Sequence, residues 1–190
     1  MTDRAFWEGK YKNKETGWDR GDFSPALSAW LETLKPCRIL VPGCGRGHEV
    51  IELARRGFDV TAVDIATPAI EHMQAMLEKE ELTATLIHGD LFDLELKPFD
   101  AIYEQTCLCA LQPEQWSDYE QWLHNHLKPG GQLLALFMQT NAVGGPPFHC
   151  ELSEMKQLFD ASRWLWPDNG DTIPHPSGRH EIAHLIQRKG

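Results

Sequence analysis

Three short segments put glycines and carboxylates where a chain could grip a nucleoside. Val41-Pro42-Gly43-Cys44-Gly45-Arg46-Gly47 joins an apolar run to a helical pattern. Its alternate glycines let the backbone approach a nucleotide ligand closely. A dinucleotide fingerprint, G-x-G-x-x-G, would need its third small residue where this chain has His48, which disfavours NAD. A tight strand-to-helix turn without a ligand is the plainer alternative. Asp64 ends the next apolar run. A carboxylate there can accept both hydroxyls of an adenosine ribose and would repel a 2′-phosphate. Helix capping is its plainer role, although Thr67-Pro68 is placed to fill it. After a third run comes Gly89-Asp90-Leu91-Phe92, where the acid can bond an adenine's exocyclic amine while Leu91 packs its face.

These segments do chemistry together only if neighbouring strands deliver them to one edge. Arg38–Val41, Asp59–Val63, Thr83–Ile87, Phe99–Tyr103 and Gln132–Gln139 read as strands. Helical patterns separate them: about His48–Arg56, a helix capped by Thr67 with Ile70, Met73 and Leu77 on one face, and Pro113 to about Leu127. Helix-length connections imply parallel strands with right-handed crossovers. Ser24 and Pro25 read as the N-cap and first residue of an earlier helix. Leu127-Lys128-Pro129-Gly130-Gly131 stops a helix and turns the chain. Towards the end, a helix near Ser153–Phe159 leads to Arg163–Trp166 and Glu181–Gln187, which fit an antiparallel edge hairpin. The expected fold is therefore a doubly wound, seven-stranded, mostly parallel α/β sheet in a single domain, 1–190, that opens with an irregular arm over 1–23. Ligands of such sheets sit beyond the carboxyl ends of the strands.

Composition removes several function classes. The 190 residues carry 18 basic and 28 acidic side chains, a net charge of −10 that disfavours nucleic acid. No apolar run approaches the ~20 residues of a membrane span, and the start, Met1 to Glu8, lacks a signal-peptide apolar region. Cys37, Cys44, Cys107, Cys109 and Cys150, odd in number and irregular in spacing, fit reduced thiols in the cytoplasm. The expected partner is a small molecule, for a monomeric chain.

The glycine loop, the acid at the second strand, Gly89-Asp90 at the third and Leu127 to Gly131 together resemble a class I S-adenosylmethionine-dependent methyltransferase. More narrowly, Phe6-Trp7-Glu8 with Tyr11, Thr16-Gly17-Trp18-Asp19, Leu40 to Gly47, Cys109-Ala110-Leu111 and Gly144-Gly145-Pro146-Pro147-Phe148 resemble the thiopurine S-methyltransferase family. Its bacterial and plant branch includes methyltransferases for small thiols, thiocyanate and halides. The resemblance implies that Trp7 and Trp18 cover the cofactor, and that Gly43, Asp64, Asp90, Leu91 and Gln105 hold it. An indole face suits a sulfonium. The chain departs from the family at Glu104-Gln105-Thr106-Cys107, where an aspartate–aromatic pair is usual, and at Gly178-Arg179-His180, where Gly-Arg-Glu is usual.

Methyl transfer from a sulfonium is an in-line displacement, so the expected acceptor is a small soft nucleophile, a thiol above all. Halide, thiocyanate, metalloid, oxygen or nitrogen acceptors stand as alternatives, as does a binding module without turnover. A thiol attacks as thiolate. Arg179 could hold that anion, and His180 or His149 could take its proton. Two motifs are set aside. His180-Glu181-Ile182-Ala183-His184 spells a zinc signature, but in a strand the two imidazoles stand ~13 Å apart, so no metal is expected. His124-Asn125-His126 sits at a polar helix end in an acidic chain.

Overall fold

The computed structural model describes residues 3–190; Met1 and Thr2, part of the opening run read above, lie outside the described residues. The chain forms two compact units that divide between Glu95 and Leu96.

In the first unit, β1 (Arg38–Pro42), β2 (Asp59–Asp64) and β3 (Thr85–His88) pair in parallel in the order β3-β2-β1. Ile39, Leu40, Val60, Ala62 and Val63 are all buried, as a strand covered on both faces requires. The crossovers are α3 (His48–Arg55) and α4 (Thr67–Lys79). Val50 and Leu53 from the first, and Met73 and Leu77 from the second, complete this core.

Two further helices come earlier, α1 (Arg4–Lys12) and α2 (Pro25–Leu31). Ser24 caps α2 as its sequence implies. The expected irregular arm, however, begins as helix α1. Asp3 caps it by accepting the Phe6 N–H at 3.0 Å, and Lys10 and Lys12 complement its last turn. No residue of α1 is fully buried, so there was no apolar periodicity to read.

In the second unit, β4 (Phe99–Gln105) and β5 (Leu127–Gln139) are parallel, joined through α5 (Trp116–His126). After α6 (Leu152–Leu158) come β6 (Trp164–Leu165), β7 (Asp171–Pro174) and β8 (His180–Arg188). Strand β8 runs antiparallel to β5, β6 and β7. The doubly wound, mostly parallel α/β class with antiparallel edge strands is borne out. The described residues form eight strands rather than seven, because β7 lies in what reads as a Pro- and Gly-rich loop. Gly170 allows it: a Cβ there would stand 2.4 Å from His184 Nε2 and 2.9 Å from the Ala183 carbonyl. No helix among the described residues is long and apolar enough to cross a membrane.

Candidate functional site

In the first unit the glycine loop is a bent strap between β1 and α3. Gly43, Gly45 and Gly47 have φ of 57°, 54° and 74°, a region costly for side-chain-bearing residues. Their duties differ. A Cβ on Gly47 would lie 2.4 Å from Met73 Sδ, so Gly47 is where α4 packs against the N-terminus of α3. A Cβ on Gly45 would meet nothing closer than Tyr11 Oη at 3.5 Å and Trp18 Nε1 at 3.9 Å. Gly45 is thus the glycine of the loop that faces the Tyr11 hydroxyl and the Trp18 indole.

Asp64 ties this loop to the end of β2. Its Oδ2 accepts the Gly45 N–H at 2.9 Å and its Oδ1 the Ala66 N–H at 2.8 Å. That corrects one expectation: Ala66, not Thr67, is the N-cap of α4, and Asp64 closes the turn in front of it. Thr67 is the first helical residue, and its hydroxyl donates to Glu8 Oε1 at 3.0 Å. Burial pushes the Asp64 carboxyl up, against the pull of the Ala66 and Gly45 N–H groups. The Gly89 N–H donates to the Asp64 carbonyl at 3.1 Å, which brings the next loop alongside. There Asp90 accepts the Phe92 N–H at 3.0 Å and caps a single 3₁₀ turn that starts with the buried Leu91.

An aromatic cluster covers the loop. The Trp7 and Trp18 rings meet edge to face at 5.4 Å, and Tyr11 meets Trp18 at 5.6 Å. Burial, then the Asp64 charge, pushes the Tyr11 phenol well up, so it remains a neutral hydroxyl. Trp18 thus stands beside Gly45, with Trp7 packed against it. Tyr11 is an addition whose signal was available: it follows Trp7 by one helical turn.

The residues fit an adenosyl cofactor. A carboxylate offers about four lone-pair positions and Asp64 uses two for the backbone, leaving acceptor capacity for ribose hydroxyls. The loop beside it is glycine under aromatic rings, which suits adenosine and a sulfonium.

The second unit holds the other candidates. Tyr103 donates to Gln105 Oε1 at 2.6 Å, and Gln105 Nε2 donates to Glu181 Oε2 at 2.8 Å. Glu181 and Glu104 are both buried. Burial, with Glu181 adding to it, pushes the Glu104 carboxyl up to about 7, and its Oε1 accepts the Leu108 N–H at 2.7 Å. Thr106, between them, has φ of 61°, a strained backbone for a β-branched residue.

His149 Nδ1 accepts the Thr140 and Asn141 N–H groups at 3.1 and 3.3 Å, and its Nε2 lies 3.4 Å from Glu151 Oε2. Nδ1 thus closes the 140–149 loop, while Nε2 faces the exposed Glu151 carboxylate beyond it. His180 opens β8, opposite Gln139 of β5 and Pro174 of β7. Gln139 in turn donates to the Cys150 carbonyl at 2.7 Å, so both histidines stand at the carboxyl end of β5. Arg179 is exposed in the β7–β8 turn, where its carbonyl accepts the His175 N–H at 2.9 Å. Glu181 escaped the sequence reading because it lay inside the discarded zinc motif.

Residues 2–182 match the thiopurine S-methyltransferase family. A thiopurine S-methyltransferase of Aliivibrio salmonicida (strain LFI1238) is 30% identical over 176 residues, 83% of each chain. One of Vibrio cholerae (serotype O1 strain M66-2) is 30% identical over 179 residues, 84% of this chain and 82% of its own. Among solved structures, the 1,6-didemethyltoxoflavin-N1-methyltransferase of Burkholderia thailandensis, with S-adenosylhomocysteine bound, superposes with a TM-score of 0.78 at 22% identity. It covers 98% of this chain and 86% of its own. Magnesium protoporphyrin IX methyltransferase of Synechocystis PCC 6803 gives 0.78 at 16% identity, covering 98% and 97%. The chain belongs to the thiopurine S-methyltransferase family and is an S-adenosylmethionine-dependent methyltransferase.

Proposed function

We propose that this enzyme methylates a small soft nucleophile, a thiol above all, within one domain whose residues 1–23 are a cofactor-covering arm. The observation that carries the reading is the Gly45–Asp64 hydrogen bond beneath the Trp7, Tyr11 and Trp18 rings. Asp64 receives the ribose hydroxyls, Asp90 the adenine amine, and Leu91 packs the base. The backbone at Gly43 and Gly45 allows close approach, while Trp7 and Trp18 exclude water. Gln105 belongs to the cofactor set through the family pattern. The cofactor, when bound, supplies an electrophilic methyl group on a sulfonium.

The chain's remaining work is to hold an acceptor and manage its proton. Arg179 offers a permanent positive charge to a thiolate. Because His149 Nδ1 closes a loop and its Nε2 faces Glu151, the proton falls to His180. Thiol specificity is supported by the name that the curated relatives carry. A nitrogen acceptor is the second reading. It is favoured by the buried carboxyls of Glu104 and Glu181 near the end of β4, which suit a neutral acceptor better than an anion. Cys37, Cys44, Cys107, Cys109 and Cys150 stand as thiols, which accords with a reducing, cytoplasmic setting.

The test is incubation with cofactor and a panel of thiols, iodide, thiocyanate and aromatic amines, with detection of methylated product by mass spectrometry. Methyl thioethers support the thiol reading. Product from amines alone replaces it with the second, and no product from any acceptor turns the protein into a binding module.

A further inference from the structure

The segment that follows Trp18 is fixed to the glycine loop by charged contacts that the proposed chemistry does not use. Asp19 Oδ2 lies 3.0 Å from Arg46 Nε, and Oδ1 lies 2.8 Å from His48 Nε2. Oδ1 also accepts the Gly21 N–H at 2.9 Å. Arg46 and His48 bracket Gly47, the residue on which α4 packs. One carboxylate therefore joins the arm to both sides of the loop's rigid corner. The Asp19 side chain is 16% exposed and that of Arg46 36%, so the pair is partly buried yet still open to screening by salt. Burial alone would raise the Asp19 acid; the Gly21 N–H, His48 and Arg46 outweigh it and hold the carboxyl below its usual range.

Two hydrogen bonds also fasten the arm. Glu8 accepts the Thr67 hydroxyl, and Glu49 accepts the Ser24 N–H at 3.0 Å. These hold the two ends of the arm. Asp19 holds its middle, one residue from the indole that lies over Gly45. A cavity of about 170 Å³ lined by Arg46, His48, Asp22 and His72 opens beside it, so dissolved ions reach the contact.

We propose that Asp19 is a positioning residue: with Arg46 and His48 it forms a clasp that keeps Trp18 over the glycine loop and sets how long a bound cofactor stays. The proposal rests on the reading that Trp7 and Trp18 cover the cofactor. Opening the clasp removes the carboxylate tie next to Trp18 while the hydrogen bonds of Glu8 and Glu49 remain. The effect belongs on the dissociation rate, since association requires the arm to be open in either case.

The experiment is stopped-flow displacement of S-adenosylhomocysteine, read by tryptophan fluorescence, for the wild type, Asp19→Asn, Arg46→Gln and the double variant. Asp19→Asn keeps the size of the side chain and its acceptor for Gly21. It is expected to release S-adenosylhomocysteine about tenfold faster, with association within about twofold. The double variant should be no faster than the quicker single one, because both remove the same contact. Raising salt from about 0.05 to about 0.5 M should speed release from the wild type more than from Asp19→Asn. A residue that only stabilises the fold would lower the thermal midpoint without that salt response. Unchanged release in Asp19→Asn, or single effects that multiply in the double variant, overturns the clasp while the cover reading stands. No binding by the wild type defeats the cover reading, and the clasp with it.

Discussion

Asp64 and Gly45 are joined by a 2.9 Å hydrogen bond from the loop's backbone N–H to the carboxylate at the end of β2. The side chain assigned to the ribose therefore also builds the loop that the ribose would meet. Substitution should damage both functions, to different extents. Asp64→Asn keeps one acceptor oxygen and loses the charge, and it should weaken S-adenosylhomocysteine binding at least tenfold, about 1.4 kcal/mol. Asp64→Ala should bind no better and should also melt lower, having lost the bonds to Gly45 and Ala66. Calorimetric titration of both variants checks this; affinity within twofold of wild type in Asp64→Asn would remove the ribose assignment.

The glycines of the loop should separate by phenotype. Gly47→Ala puts a Cβ 2.4 Å from Met73 Sδ at a φ of 74°, and should cost about 1–3 kcal/mol of stability. Gly45→Ala faces only the strain of its φ, 54°, and should cost about half that while impairing cofactor binding more. Denaturant unfolding and cofactor titration on the same two proteins decide the matter. Equal losses of stability would contradict the division of duties between them.

Glu104 makes the fold sensitive to alkali. Its carboxyl is raised from an ordinary 4.5 to about 7 in the folded chain, first by burial and then by Glu181. A raised carboxyl contributes stability that is complete below about 4.5 and lost as pH rises through about 7. Relative to Glu104→Gln, the wild type should therefore lose roughly 1–3 kcal/mol between pH 5.5 and 8. Urea unfolding of both proteins at the two pH values measures the difference, and parallel pH profiles would show that Glu104 is not the group responsible.

Arg179 is assigned to the acceptor and not to the cofactor. Arg179→Ala should slow turnover of an anionic acceptor by about tenfold or more and leave S-adenosylhomocysteine affinity nearly unchanged. Loss of both in equal measure would make it a cofactor or folding residue.

Much of this arrangement was legible beforehand because it is local. A strand, a glycine turn and an acid at the next strand's end follow in sequence, so spacing singles out Gly45, Asp64 and Asp90 as candidates, and the family resemblance supplies their proposed roles. Strand β7 was hidden because Asp171–Pro174 is short and flanked by glycine and proline; only packing of Gly170 against His184 permits it. Helix α1 was hidden because it has no fully buried residue. Glu104, Glu181 and Asp19 carry no local pattern. Each matters through partners far along the chain, as Glu181 does through Gln105 and Asp19 through His48. The tie between Asp64 and Gly45 was missed for a subtler reason: the capping role given to Thr67 belonged to Ala66 and the Asp64 carboxylate.

Isothermal titration of the wild-type chain with S-adenosylhomocysteine and, separately, with NAD tests the central claim most directly. Saturable binding of S-adenosylhomocysteine at one site per chain, with no heat from NAD, is the predicted result. Binding of NAD with none of S-adenosylhomocysteine would contradict the account.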